Sequence, residues 1–118
     1  KYASFKDWPH IKPGGCRTDI TVVMSGFNCV KWRPDKPAHT IKKSDGHLSM
    51  YGAMHWSEWR RFTTGEFARF ASFPDDFNWV GGYEIAVERI GNCVPPRFMQ
   101  AIAECIRDTV LMPAQVAG

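Results

Sequence analysis

The clearest pattern in this chain lies near its carboxy terminus, where apolar residues return at helical spacing. Phe98, Ile102, Cys105, Ile106 and Val110 follow an i, i+4, i+7 repeat, while Arg97, Gln100, Glu104 and Arg107 fall on the other side. Pro95 and Pro96 stand before the stripe, and proline is tolerated at a helix amino terminus, where its missing N–H costs nothing. The pattern predicts a helix from about Pro96 to Leu111. A second helix is predicted over about Tyr83 to Arg89, stopping at Gly91. A third starts at Thr63-Thr64-Gly65-Glu66, which has capping-box form. The Thr63 hydroxyl can accept from the Glu66 N–H, while the Glu66 side chain reaches back to the Thr63 N–H. Phe62 and Phe67 stand at the two positions of a hydrophobic staple. Phe67, Phe70 and Ala71 share one face, and Ser72-Phe73-Pro74 ends the helix, because the residue before proline avoids the α region.

The first half reads differently. Trp8-Pro9, Lys12-Pro13-Gly14-Gly15, Arg33-Pro34, Lys36-Pro37 and Asp45-Gly46 are turn signals. Between them lie short β-like runs, Ile20 to Met24 and Thr40-Ile41-Lys42, with Phe27 to Trp32 a weaker one. The fold class expected is α+β: a small irregular β region with long loops, residues 1–60, followed by about three helices, residues 61–118. No internal repeat or low-complexity tract interrupts this division.

A chain of 118 residues is enough for one small domain. No apolar run approaches the ~20 residues that span a bilayer. The chain opens with Lys1 and has no basic–apolar–small leader pattern, which points to a fragment or a processed chain. Cys16, Cys29, Cys93 and Cys105 form no C-x-x-C pair, and His10, His39, His47 and His55 lack zinc-ligand spacing. Free thiols in a reducing compartment are expected, with Cys105 acting as a small hydrophobe on its helix. The net charge of +3 hides an asymmetry: residues 1–61 carry 11 Lys/Arg against 5 Asp/Glu, and residues 62–118 carry 4 against 7. A basic amino-terminal half suits a polyanionic partner, and the plainer reading is an ordinary solvated surface.

Two stretches are specific. Arg61-Phe62-Thr63-Thr64-Gly65-Glu66-Phe67-Ala68-Arg69-Phe70-Ala71-Ser72-Phe73-Pro74-Asp75-Asp76-Phe77 resembles "R-x-L-T-x-R-E-x-A-R-L-Q-S-F-P-D-D-F", a signature of DNA (cytosine-5)-methyltransferases. Ile90-Gly91-Asn92-Cys93-Val94-Pro95-Pro96 resembles that family's final motif, "I-G-N-A-V-P-P". Both occur in the family's order and spacing, and the similarity covers roughly residues 36 to 111 and, more weakly, residues 8 to 20. Gly65 stands where the family has Arg, Arg89 where it has Gln, and Cys93 where it has Ala.

The resemblance implies a partial methyltransferase lobe. Residues 1–60 would be part of a target-recognition region with DNA-facing loops, and residues 61–118 would complete the cofactor-binding lobe. It implies double-stranded DNA as partner and S-adenosylmethionine as cofactor, the latter only with a catalytic half supplied in cis or in trans. Asn92 and Val94 match residues that line the cofactor pocket. Gly14, Gly15 and Arg17 match one Gly-rich recognition loop. Thr40, Lys42 and Lys43 match a phosphate-contacting threonine and the loop after it. Plainer readings stand beside these: a simple turn at Gly14-Gly15 and a solvated edge strand at Lys42-Lys43. The family's "P-C-Q" nucleophile and "E-N-V" acid motifs are absent, and Cys93 lacks the surroundings of a reactive thiol. The expected function is therefore a carboxy-terminal fragment or small subunit of such an enzyme, cytoplasmic and bacterial or phage-encoded, with no catalytic residue of its own. The alternative is a non-enzymatic DNA-binding module or remnant. The apolar helix from about Pro96 would pack on the catalytic half, fold back on this chain, or pair with a second copy.

Overall fold

Thr63 opens the helical half as its sequence predicts. In the computed structural model, which describes residues 8–16, 19, 30–46 and 53–112, α1 runs over Thr64–Phe70, α2 over Tyr83–Asn92 and α3 over Pro96–Ile106. The Thr63 hydroxyl accepts from the Glu66 N–H at 3.2 Å, and the Glu66 carboxylate accepts from the Thr63 N–H at 2.7 Å. The staple closes as well, with the Phe62 and Phe67 rings 5.6 Å apart.

α1 ends where expected, but by a further device. Ser72 adopts a left-handed φ of 64°. Its N–H bonds the Arg69 carbonyl, and the Phe73 N–H bonds the Ala68 carbonyl, each at 2.9 Å. This is a Schellman closure with serine in the place glycine usually takes. The stop therefore comes from two satisfied carbonyls and not only from the strain ahead of Pro74. Beyond it, Arg69 forks onto Asp75 at 2.6 and 3.1 Å, which braces the Pro74–Phe77 turn. The Phe73, Phe77 and Trp79 rings pack together over that turn, with centroids 4.7 to 5.0 Å apart.

Among the described residues the first half is joined by isolated bridges and not by ladders. Cys16 pairs antiparallel with Val30, Lys31 parallel with Met54, and Met54 antiparallel with Arg61. The predicted run Ile20 to Met24 lies outside the described residues. The run Thr40-Ile41-Lys42 forms no bridge among them. The Lys42 N–H goes to the Asp45 carboxylate at 2.8 Å, and the chain enters a 3₁₀ turn at Lys43–Gly46. A nearby Asp side chain offered the backbone a partner before a neighbouring strand did.

Phe62 is the centre of the core. It is 1% exposed and meets the rings of Trp32, His55, Trp56, Phe67 and Phe70 at 4.8 to 5.7 Å. Its carbonyl accepts the Tyr83 hydroxyl at 2.8 Å, which draws α2 onto α1. A smaller cluster of Ile11, Met54 and Trp8 lies beside it. There the Trp8 indole N–H bonds the His55 carbonyl at 2.9 Å, and the Lys31 ammonium sits 3.6 Å above the Trp8 ring. By contrast α3 and the π-helical turn after it, Arg107–Leu111, bury none of their residues: Phe98, Ile102, Ile106 and Val110 are 38 to 60% exposed, and Cys105 is exposed with them. No helix among the described residues is long and apolar enough to cross a membrane.

The loop into α1 is braced by charge. Arg60 forks onto Glu66 at 2.7 and 2.9 Å and also reaches Glu58 at 2.7 Å. His55, only 3% exposed, accepts the Ser57 and Glu58 N–H groups on Nδ1 at 3.3 and 3.1 Å, and burial pushes its pKa down. The Arg60 guanidinium, aided by the Thr63 bonds, holds the Glu66 carboxyl at about 2 against an ordinary 4.5. A carboxyl depressed by folding adds stability that is complete above its unfolded pKa and is lost as pH falls through the folded one. The Glu66–Arg60 contribution should therefore be whole at pH 7 and fade from about pH 4.5 toward pH 2. Glu66→Gln keeps the capping acceptor and removes the charge. It should lose roughly 1–3 kcal/mol at pH 7, after allowing for partial solvent screening. Urea unfolding should show that deficit shrinking at pH 3; an equal deficit at both pH values would mean that the charge contributes nothing.

Candidate nucleic-acid and cofactor interface

The last turn of α2 carries the Gly91-Asn92 pair. The helix was expected to stop at Gly91; instead it runs through Asn92 and is closed by the Cys93 N–H bonding the Ile90 carbonyl at 3.3 Å. Gly91 serves close approach. A Cβ built there would lie 2.4 Å from the Lys43 nitrogen and 2.5 Å from the Lys42 carbonyl carbon. Only a residue without a side chain lets α2 touch that backbone. Gly46, at the end of the same 3₁₀ turn, backs onto Val87 of α2, and its carbonyl accepts from Arg61 at 3.0 Å.

This contact unites residues that the sequence assigned to two different tasks. Lys42 and Lys43 face solvent on one side of the joint, and Asn92 is exposed at the other. Val94 follows at 49% exposure, in the extended link between α2 and α3. Cys93 is half-buried. Its thiol donates to the Ile90 carbonyl at 2.9 Å, and burial pushes its pKa up, the reverse of what a nucleophilic thiol needs.

Asp45, read in the sequence as half of a turn signal, also organises the Lys42 end. Its carboxylate is 2% exposed, caps the Lys42 N–H and lies 3.5 Å from the Lys42 ammonium. Burial still pushes its pKa up, against the pull of Lys42. The signal was present in the spacing, since Asp three residues after a β-like end is a turn former.

The other loop is built around Gly14. With φ at +87° it suits glycine, and its N–H bonds the Lys31 carbonyl at 2.7 Å while the Lys31 N–H bonds the Gly15 carbonyl at 3.0 Å. The Gly14-Gly15 turn is thus clamped to a segment whose Lys31 side chain is buried. Thr40 is exposed. Arg17 lies outside the described residues. Arg33, not singled out in the sequence, lies directly over Gly14.

Known proteins resemble this chain over most of its length. The profile described as C-5 cytosine-specific DNA methylase matches residues 11–108. The type II methyltransferase M.BbvI of Brevibacillus brevis is 33% identical over 110 residues, covering 85% of this chain and 29% of that protein. M1.HphI of Haemophilus parahaemolyticus is 32% identical over 101 residues, covering 81% of this chain and 26% of its own length. M.NgoFVII of Neisseria gonorrhoeae reaches 46% over a shorter 72 residues, 61% of this chain and 19% of that one. The chain therefore spans less than a third of the length of these relatives. No solved structure matches.

The Gly91 joint can be tested against an internal control. Gly65 in α1 has nothing within 4 Å of a built Cβ. Gly65→Ala should stabilise by roughly 0.5–1 kcal/mol through helix propensity. Gly91→Ala meets backbone and should destabilise by about 1–3 kcal/mol in spite of the same propensity gain. Thermal melts that moved both variants in the same direction would refute close approach as the role of Gly91.

Proposed function

The chain belongs to the C-5 cytosine-specific DNA methylase family, and we propose that it is the carboxy-terminal part of a DNA (cytosine-5)-methyltransferase, as a fragment or as the small subunit of a split enzyme. In this reading residues 1–60 are part of a target-recognition region, and residues 61–118 complete the cofactor-binding lobe of an α+β fold. The observation that carries it is the Gly91 joint: the segment with Thr40, Lys42 and Lys43 lies against the turn that presents Asn92. Gly14, Gly15, Arg17, Thr40, Lys42 and Lys43 meet double-stranded DNA, and Asn92 and Val94 form one wall for S-adenosylmethionine. The bound cofactor supplies the methyl group. The residues of this chain hold and orient, and the nucleophile and acid come from the catalytic half.

The solvated stripe of α3 favours this reading over a free-standing DNA-binding module. Burying four side chains such as Phe98, Ile102, Cys105 and Ile106 is worth on the order of 5–8 kcal/mol. A stripe of that size left in water suits a surface that docks on a larger partner. Mixing this chain with a candidate catalytic half should restore methyl transfer to DNA, and Asn92→Ala should raise the cofactor requirement of the mixture. By itself the chain should show no cofactor binding in titration calorimetry; micromolar binding by the chain alone would overturn this division of labour.

DNA binding by the isolated chain should be weak and steeply salt-dependent, since each neutralised phosphate releases condensed counterions. Replacing Lys42 and Lys43 with alanine should lower the salt slope by roughly one unit per lost contact. Arg107, in the π-like turn beyond α3 and paired with Asp108 at 2.7 Å, should be dispensable for that slope. If Arg107→Ala weakened binding as much as the lysine pair, the DNA surface would belong to the other half.

A further inference from the structure

Between Val30 and Ser44 the chain carries Lys31, Arg33, Lys36, Lys42 and Lys43 and a single carboxylate, Asp35. That carboxylate is committed to one partner. Arg33 Nε donates to Asp35 Oδ1 at 2.9 Å, and its terminal nitrogen donates to Oδ2, a planar fork on a planar acceptor. Both side chains face solvent, at 43 and 59% exposure. An exposed pair of this kind adds little to stability. Pro34 follows Arg33 directly and limits the backbone freedom between the two partners.

The placement of Arg33 gives the pair a meaning. Lys31 and Trp32 are buried, and residues 33–40 all face solvent, so Arg33 is where this segment comes to the surface. Its stem lies over Gly14: a Cβ built on that glycine would stand 2.7 Å from Arg33 Cδ. The guanidinium is thus held at the turn proposed to approach the duplex, in the orientation that presents two parallel N–H groups. A phosphate offers the same pair of oxygens as a carboxylate.

We propose that Arg33 is a phosphate-contacting residue of the DNA surface, held ready in the free chain by Asp35, whose carboxylate the phosphate replaces. This rests on the DNA-binding reading given above. It adds a residue that lies outside both loops picked out by the sequence. It also makes Asp35 a positioning residue that competes with the ligand.

The test is anisotropy titration of the 118-residue chain with two duplexes of unrelated sequence across a salt series, with the parental fold of each variant checked by circular dichroism. Arg33→Gln keeps a stem over Gly14 and should lower the salt slope by about one unit on both duplexes. Arg33→Lys should keep the slope, as a point charge, and lose roughly three- to tenfold in affinity for want of the fork. Asp35→Asn should tighten binding about threefold, by removing the competitor. In an Arg33→Gln background that gain should vanish. If Arg33→Gln leaves the slope unchanged while Lys42→Ala lowers it, Arg33 is not a contact and the DNA reading stands. An Asp35→Asn gain that persists without Arg33 makes Asp35 a merely repulsive charge and overturns the exchange. A slope lost on one duplex alone assigns Arg33 to a base edge and overturns the phosphate assignment. No salt-dependent binding by the parental chain overturns the DNA reading and this assignment with it.

Discussion

The packing of Phe62 against Trp32 is the contact on which the rest depends. These rings, 4.8 Å apart, come from opposite sides of the division between the bridge-poor first half and the helical second. The first half has few backbone bonds of its own among the described residues, so it relies on side chains to hold it. Trp32 supplies the apolar anchor, and Met54 ties the backbone on either side through its bonds to Val30 and Trp32. The polar atoms of the Phe62 residue do equal service: its carbonyl takes the Tyr83 hydroxyl and so fixes where α2 lies. From there the Gly91 approach follows, and with it the position of Lys42 and Lys43.

Much of the second half was legible because its signals are local. A threonine three residues before a glutamate specifies a cap without reference to the remainder of the chain, and the staple and the prolines ahead of α3 work in the same way. What was misread depends on distant neighbours. Gly91 resembles a helix stop in sequence; its reason is the backbone of Lys43, 48 positions away. Ser72 does not signal a left-handed turn, since glycine is the usual bearer. Thr40 to Lys42 has β character, but Asp45 lies close enough to take its donor.

The candidate site was legible to a similar extent. The glycine pair and the lysine pair stand out in the sequence as turn and charge. That the lysines share a joint with Asn92 required the fold, and so did the placement of Arg33, whose stem lies over Gly14 and belongs to no motif. Asp45, Lys31 and His55 are buried polar groups that hold loops in place, a class that composition and spacing rarely reveal.

Ser72 has one more partner. Its hydroxyl accepts the Arg97 N–H at 3.1 Å, one of the unsatisfied donors in the first turn of α3. A left-handed serine costs about 1 kcal/mol more than glycine there, and only serine brings a hydroxyl to that place. The end of one helix thus aims the start of another. Among the described residues α3 has no buried face to fix its direction, and this bond and the stiff Pro95-Pro96 link stand at its start. The helix stands as a boom on a short pivot: whatever touches the stripe on α3 pulls on the end of α1 through a single hydroxyl.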